Sequence, residues 1–393
     1  MLNFDFHAPT RLVFGKDCYK QIGPLLADYQ PKKILLHYGG GSIKRSGVYD
    51  AVTASLREAG LDFIELGGVV PNPRVTLARE GVTLCRDQGV DLILAVGGGS
   101  AIDSAKAIAM GVYYDGDVWD IYEKNLMGNK ALPVATILTI PAAGSECSPS
   151  TVISNDDQQR KLGHTEQCVR PLISCVDPSL FATLPPNQIA NGVADMMSHI
   201  FERYFTGTDH CALTDGLCES VLRTIIQYAP KVYADPGDYD SWCQIGLAGT
   251  LAHNDLLGLG RDEDWACHQM EHELSAIYDV AHGAGLAVLT PAWMTYIYRE
   301  HLPMFLQFAV KVMGIDGSYR EPEAVIEEAI DKLRAFYRLI GLPQTLEELG
   351  IGNDNYEIMA KKATRIAYGP EKQLGGIQKL GWQDVLAVYG LCG

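Results

Sequence analysis

The chain has 393 residues, 47% of them hydrophobic and 20% charged, which is typical of a soluble globular protein with more than one core. Its formal net charge of −16 and the lack of a Lys/Arg-rich run argue against a nucleic-acid partner. The start "MLNFDFHAPTRLVFG" has no signal-peptide pattern, and no apolar run approaches the roughly 20 residues that span a bilayer, so we expect a cytoplasmic protein without a membrane partner. The ten cysteines form no Cys-x-x-Cys pair and are expected to be reduced thiols.

Short apolar runs alternate with helical patterns up to about residue 180. The runs are "KKILLHY", "DFIEL", "DLILAV", "PVATILTI", "TVIS" and "LISCVD". Strands that are apolar on both faces and separated by helices indicate a parallel sheet covered on both sides. Two segments, "VYDAVTASLREAG" and "TLAREGVTLCRDQG", predict amphipathic helices that stop at glycine.

The second half changes character. Long segments such as "ALTDGLCESVLRTIIQYAP" and "EAVIEEAIDKLRAFYRLIG" keep helical periodicity, so we expect an all-α domain. Pro185 and Pro186 mark the change, because a helix does not propagate across them. The predicted domains are residues 1–183, α/β and dinucleotide-binding, and residues 184–393, all-helical and metal-binding.

A glycine-rich loop follows a predicted strand in "LILAVGGGSAIDSAK", residues 92 to 106. Glycines let the backbone approach an anion, and the amides of the following helix attract negative charge. Taken alone, this loop fits pyrophosphate binding and a plain tight turn equally well. A second "GGGS" at residues 39 to 42 follows "KKILLHY", and two such loops suit a ligand laid across the carboxyl edge of a parallel sheet.

The second glycine loop also bears on the choice of cofactor. Many dinucleotide sites have an acidic residue here for the ribose of NAD, but this loop is uncharged and is followed by Lys44 and Arg45. This predicts that NADP(H) is preferred and NAD(H) possible; the alternative is an open turn with solvated basic residues. A third strand end, "TIPAAGSECS", either lies against the cofactor or is a generic loop.

Candidate metal ligands cluster in the helical half. Asp195 and His199 are four residues apart in "NGVADMMSHIFERYF", so both side chains project from one helix face. The segment "WACHQMEHELSAIYDVAHGAG" adds His268, His272 and His282. One carboxylate with imidazoles suits a divalent transition metal, Zn²⁺ or Fe²⁺, and does not suit calcium or magnesium.

The stretch "CHQMEH" also matches the His-x-x-Glu-His signature of one class of zinc proteases, with Glu271 as general base. A simple protease has no use for the paired glycine loops that precede this stretch. The remaining histidines lack comparable neighbours in the sequence and are expected to be structural or exposed; they are His7, His37, His164, His210, His253 and His301.

The chain resembles the iron-containing alcohol dehydrogenase family in "RLVFG", "GGGSAIDSAK", "ADMMSHIFE" and "CHQMEHELSAIYDVAHGAGLAV". The resemblance covers nearly the whole chain and is closest to the butanol dehydrogenase and broad-range aldehyde reductase branch. It implies a dehydroquinate synthase-like architecture, with an α/β dinucleotide-binding domain before a helical metal domain. It also implies that Asp195, His199, His268 and His282 are the metal ligands and that His272 is the catalytic residue, facing nicotinamide and substrate.

The resemblance further implies a set of contacts to the dinucleotide. They are Gly39, Ser42, Asn72, Gly97, Gly98, Gly99, Ser100, Asp103, Thr139, Ser145 and Lys161. The chain departs from many relatives at Ala143, where they have threonine before Gly-Ser-Glu. We therefore expect one hydrogen bond to the cofactor to be missing there.

These patterns and the resemblance together predict an enzyme. We expect a homodimer that transfers hydride between NADP(H), or NAD(H), and small aliphatic alcohols or aldehydes of the butanol and butanal kind, with Fe²⁺ or Zn²⁺ as Lewis acid. The alternatives are a sugar-phosphate lyase of the dehydroquinate synthase type, the zinc protease, and a non-catalytic nucleotide-binding protein. The lyase would need several basic residues around a phosphorylated substrate, whereas the segments that flank the candidate metal ligands are apolar and aromatic.

Overall fold

The computed structural model describes residues 1–366 and 369–393, and the chain divides into two compact units. One unit is His7–Thr183; the other is Leu184–Gly393 together with Met1–Phe6. The first six residues, predicted to belong to the α/β domain, group with the helical unit. Their backbone is bound there, since the Leu2 amide donates to the Gly260 carbonyl at 2.7 Å.

The α/β unit contains eight strands. In chain order they are β1 (Arg11–Phe14), β2 (Ile34–Tyr38), β3 (Phe63–Leu66), β4 (Leu92–Gly97), β5 (Val134–Leu138), β6 (Ser150–Asn155), β7 (Arg160–Thr165) and β8 (Ile173–Val176). Six of them form one sheet in the order β1-β8-β5-β4-β2-β3, and every neighbouring pair is parallel. All residues of β2, β4, β5 and β8 are buried, as expected of strands apolar on both faces. The predicted parallel sheet is confirmed.

Two strands differ from the sequence-based prediction. The run "TVIS" lies in β6, which pairs antiparallel with β7 in a separate two-stranded ribbon and is not part of the parallel sheet. Only residues 156–159 separate β6 from β7, so the chain forms a local hairpin there. The sixth strand of the parallel sheet is β1, which was not predicted. It is a short edge strand in which Arg11 and Phe14 are exposed, so its sequence lacks the apolar run of a buried strand.

Six helices connect the strands of this unit: α1 (Ile22–Ala27), α2 (Ser42–Arg45), α3 (Val48–Glu58), α4 (Val75–Gln88), α5 (Gly99–Gly111) and α6 (Val118–Glu123). The two predicted amphipathic helices are α3 and α4. Each ends before a glycine in the left-handed region, Gly60 with φ +70° and Gly89 with φ +65°, where a side chain would be strained.

The second unit is built from helices over its described residues. They are α7 (Pro186–Tyr204), α8 (Ala212–Ala234), α9 (Tyr239–Ala252), α10 (Ala266–Tyr278), α11 (His282–Ile297), α12 (Leu302–Lys311), α13 (Pro322–Leu339), α14 (Tyr356–Ala363) and α15 (Trp382–Gly390). Helix α7 begins at Pro186, because proline at the first helical position loses no hydrogen bond.

The core of the helical unit is aromatic. Phe205 is fully buried, and its ring lies 4.5 to 6.0 Å from the rings of Phe201, Tyr204, Trp293, Phe305 and Phe308. Such contacts between α7, α11 and α12 fix how the helices cross. Within the described part of the chain, no helix combines the length and the apolar character needed to cross a bilayer.

Candidate functional site

Three helices of the second unit bring three of the four predicted metal ligands together, and His199 lies beside them. Helix α7 carries Asp195 and His199, α10 carries His268, and α11 begins at His282. The ligand atoms of Asp195, His268 and His282 all lie within 4.8 Å of one another. Helices α7 and α11 pack closely here, because the residue after His282 is a glycine against the α7 backbone.

A buried glutamate fixes the ring of His268. Glu202, one turn after His199 on α7, accepts hydrogen bonds from His268 Nδ1 and, at 3.0 Å, from the His268 backbone amide. A carboxylate only accepts, so Nδ1 of His268 carries the hydrogen and Nε2 is the ring atom that remains for another partner. This carboxylate–histidine pairing is the usual support of a metal-binding imidazole.

The ring of His282 is held in the same way. Its Nδ1 donates to Glu271, a fully buried carboxylate that also accepts from Ser275 Oγ. His282 Nε2 lies 3.7 Å from Asp195 Oδ1. Glu271 therefore orients a histidine, which differs from the general-base role that the protease alternative assigned to it.

His199 lies beside this group. Its Nδ1 donates to the backbone carbonyl of Asp195 at 2.9 Å, and the same nitrogen lies 3.2 Å from Asp195 Oδ1. The centres of the His199 and His268 rings are 4.4 Å apart. Burial lowers the pKa of His199 to about 4, against the opposing effect of Asp195, so the ring is neutral at pH 7.

Two buried atoms show what the cluster is suited to hold. Asp195 Oδ1 and His268 Nε2 have no hydrogen-bond partner among the described residues, and they lie 3.7 Å apart. Burial raises the pKa of Asp195, but His199, His268 and His282 together lower it well below its usual value. Burial lowers the pKa of His268, but Glu202 and Asp195 raise it to about 9. A site this favourable to positive charge, with nitrogen and oxygen ligands, fits a divalent transition metal.

Two residues of this centre were missed in the sequence. Glu202 was not singled out, although its spacing of three residues from His199 places it on the same helix face. His253 was expected to be structural or exposed, and it is buried beside His199. Its ring centre lies 4.3 Å from that of His199, and Arg203 Nη2 donates to its Nδ1 at 2.9 Å. His272, the predicted catalytic residue, has its ring centre 5.9 Å from that of His282.

The glycine-loop residues lie at one edge of the parallel sheet. Gly97 ends β4, Gly98 precedes α5, and Gly99 and Ser100 begin that helix. Since β4 lies between β2 and β5, Gly39 and Thr139 follow the two neighbouring strands at the same edge. The Thr139 amide donates to the Gly97 carbonyl at 3.0 Å. Parallel strand ends and a 13-residue helix starting there form the usual setting for a pyrophosphate.

The glycines of this loop are required by close packing. A Cβ built on Gly97 would lie 2.6 Å from the Ala101 Cβ, and one on Gly98 would lie 3.0 Å from the Ile140 Cβ. On Gly99 the Cβ would lie 3.3 Å from the Ala143 Cβ. The small residue Ala143 therefore stands directly beside the glycine loop.

The other predicted cofactor contacts are spread over the α/β unit. Ser145 Oγ donates to Asp103 Oδ1 at 2.6 Å, so these two side chains bind each other. Asn72 is buried with φ +52°, and Lys161 is buried on β7. Ser42 begins α2.

The basic residues after the second glycine loop have different surroundings. Lys44 Nζ lies 5.2 Å from the ring centre of Tyr38 and 4.7 Å from that of Tyr49. Both tyrosine hydroxyls donate to Glu65, at 2.8 and 2.6 Å. Arg45 Nη1 lies over the glycine loop, 2.9 Å from a Cβ built on Gly41. Lys44 is therefore held by aromatic faces near a carboxylate, and Arg45 extends over the loop.

Both units of the chain match models of a known family. The model of the iron-containing alcohol dehydrogenase family matches residues 9–178, and the model of the C-terminal part of the Fe-containing alcohol dehydrogenase family matches residues 189–388. The chain is 45% identical to NADH-dependent butanol dehydrogenase A of Clostridium acetobutylicum, over 99% of both proteins. It is 36% identical to the NADPH-dependent aldehyde reductase YqhD of Escherichia coli, over 92% of this chain and 93% of that protein.

A solved structure shows the same similarity. The crystal structure of NADH-dependent butanol dehydrogenase A from Thermotoga maritima superposes with a TM-score of 0.96 at 37% identity, covering 100% of this chain and 99% of that one. The similarity in sequence and in structure therefore extends over both units of the chain.

Proposed function

The chain belongs to the iron-containing alcohol dehydrogenase family, and we propose that it transfers hydride between a nicotinamide dinucleotide and small aliphatic alcohols or aldehydes of the butanol and butanal kind. The observation that carries this proposal is the convergence of Asp195 Oδ1 and His268 Nε2, buried and without hydrogen-bond partners among the described residues. The names of the relatives favour an oxidoreductase over the lyase alternative. The protease alternative requires Glu271 as general base, but the Glu271 carboxylate accepts hydrogen bonds from His282 and Ser275.

We propose that Asp195, His199, His268 and His282 hold one divalent metal, Fe²⁺ or Zn²⁺. When bound, such a cation stabilises the negative charge that develops on the substrate oxygen during hydride transfer. Glu202 accepts the Nδ1 hydrogen of His268, so Nε2 is the ring nitrogen that would face the metal. His272 is the proposed proton relay, since an imidazole near pH 7 both accepts and releases a proton.

We propose that NADP(H) is the preferred cofactor and that NAD(H) is also used. Support comes from the absence of an acidic residue in the loop of residues 39–42 and from the position of Arg45 over that loop. The relatives are divided by name, since the one at 45% identity is NADH-dependent and the one at 36% is NADPH-dependent. A kcat/KM ratio of NADPH to NADH above one supports the preference, and a clear preference for NADH refutes it. Arg45→Ala should lower kcat/KM for NADPH and leave that for NADH nearly unchanged.

The activity is tested with purified protein, butanal and each reduced cofactor, following the nicotinamide absorbance. We expect turnover that is lost on chelation and restored by Fe²⁺ or Zn²⁺. His268→Ala should lose bound metal and activity together while the α/β unit stays folded. His301→Ala is the matched control, since His301 lies in the same unit and contacts Gln378 instead of the cluster. Full turnover by metal-stripped His268→Ala would contradict the metal assignment, and cleavage of unfolded casein would favour the protease.

We also propose that the chain forms a homodimer and acts in the cytoplasm. The edge strand β1, with Phe14 exposed, offers a surface that a second copy of the sheet can pair with. Analytical ultracentrifugation tests the first proposal, and fractionation of the producing cells tests the second.

A further inference from the structure

A fully buried lysine lies next to the proposed dinucleotide site and has no part in the function described so far. Lys106, on α5, is 0% exposed. Its ammonium donates to the carbonyls of Ser145, Ser148 and Ser150 at 2.7, 2.9 and 2.7 Å and to Ser145 Oγ at 2.8 Å. Three N–H groups thus serve four acceptors, all in the segment of residues 145–150 that follows β5.

Side chains hold most of the carbonyls of this segment. Besides the three bound by Lys106, the Glu146 carbonyl accepts from Ser174 Oγ and the Cys147 carbonyl accepts from Arg170. Irregular backbone that is buried must find hydrogen-bond partners, because each polar group left without one costs free energy. The segment therefore has its shape because α5 and β8 supply donors to it.

Lys106 also fixes the direction of the Ser145 hydroxyl. Ser145 Oγ accepts from Lys106 and donates to Asp103 Oδ1 at 2.6 Å, so its single hydrogen is committed. Asp103 Oδ2 in turn accepts from the Val152 amide at 3.0 Å. The same segment begins beside the glycine loop, since a Cβ built on Gly99 would lie 3.3 Å from the Ala143 Cβ. One turn of α5, from Asp103 to Lys106, thus anchors the segment that follows β5.

We propose that Lys106 is a positioning residue of the dinucleotide site, which acts on cofactor binding by holding residues 145–150 and the hydroxyl of Ser145 in place. The proposal rests on the proposed function and on the contact between Ser145 and the dinucleotide that the family resemblance implies. Packing alone gives no reason for a lysine here, since burying a charge is costly where an apolar side chain would fill the space. Burial lowers the pKa of Lys106 to about 8, with Asp103 and Glu146 opposing the shift, so the ammonium form still prevails at pH 7.

The test compares Lys106→Met with Lys124→Met. Methionine keeps the length of the side chain and removes its charge and donors. Lys124 is exposed, and its ion pair with Asp120 at 3.0 Å lies at the surface, so its replacement is the matched control. The dissociation constants of NADPH and NADH are measured by nicotinamide fluorescence on the full-length, metal-loaded protein. Bound metal and the amide exchange of residues 145–152 are measured on the same samples.

We expect Lys106→Met to bind both dinucleotides about tenfold to a hundredfold more weakly, because small displacements of a positioning group have effects of this size. Amide exchange in residues 145–152 should quicken, while the metal content matches that of the control, since the proposed ligands are all in the other unit. Ser145→Ala alone should weaken dinucleotide binding. In a chain that already carries Lys106→Met, it should weaken binding by less than about a further twofold, because both substitutions disturb the same hydroxyl group.

Two results would overturn the proposal. One is Lys106→Met with a lower melting temperature but the dinucleotide affinity of the control, which would make the role purely structural. The other is full additivity of Lys106→Met and Ser145→Ala. If Lys106→Met does not fold, Lys106→Gln is used in its place. Dinucleotide binding by Lys106→Gln that is at least about threefold weaker than that of the control supports the proposal, and unchanged binding overturns it. Failure of the proposed function looks different, because the wild-type chain would then bind neither dinucleotide.

Discussion

Replacing Glu202 by glutamine tests whether the metal centre depends on the orientation of His268. Glu202 is buried and accepts from both the ring and the backbone amide of His268. A glutamine has one oxygen for these two donors, so its NH₂ group must face a second N–H, and the ring loses a charge-assisted bond. Removing such a support typically costs about tenfold to a hundredfold in metal affinity, which equals about 1.4 to 2.7 kcal/mol.

Metal affinity is measured by competition with a chelator of known strength, alongside circular dichroism to confirm folding. Glu219→Gln is the matched control, because Glu219 is a buried carboxylate of α8 that binds Tyr204 and Gln307, both outside the cluster. We expect the control to keep wild-type affinity. A folded Glu202→Gln protein with metal affinity within about twofold of the control would refute the inference that this carboxylate sets the His268 tautomer.

Three further changes probe the fold. Burial lowers the pKa of His37 from 6.5 to about 4, so between these pH values the unfolded chain binds a proton that the native chain does not. The free energy of unfolding is therefore unaffected above pH 6.5 and falls by about 3 kcal/mol as the pH drops towards 4. Urea unfolding at several pH values should show this fall in the wild-type protein and not in His37→Phe. Phe205→Ala should destabilise the helical unit by about 3–5 kcal/mol in the same assay, and a loss below about 1 kcal/mol would contradict its central place in the core. Gly283→Ala would place a Cβ 2.0 Å from a backbone oxygen of α7 and so displace the helix that begins with His282. Chelator competition should show metal binding at least about tenfold weaker. The control Gly216→Ala, where a Cβ meets no atom within 4 Å, should bind metal like the wild-type protein.

Much of the architecture could be predicted because it depends on local patterns. Helices α3 and α4 follow from apolar residues three and four apart and from the glycines that end them. The parallel strands β2, β4, β5 and β8 follow from runs that are apolar on both faces. The glycine loop before α5 and the four-residue spacing of Asp195 and His199 identified candidate sites for the same reason, since a few neighbouring residues define each of them.

The supports of the candidate site depend on contacts between distant parts of the chain. Glu202 and His268 are 66 residues apart, and Lys106 reaches acceptors about forty residues further along. The run "TVIS" was predicted to belong to the parallel sheet, yet strand β6 pairs antiparallel with the more polar β7 in a hairpin. Periodicity and spacing determine which face of an element is buried, and so the sequence by itself determined the elements and the candidate ligands. Which groups meet on those faces depends on how helices and strands pack, and so only the tertiary structure decided which carboxylates orient the histidines and which ammonium holds the buried segment.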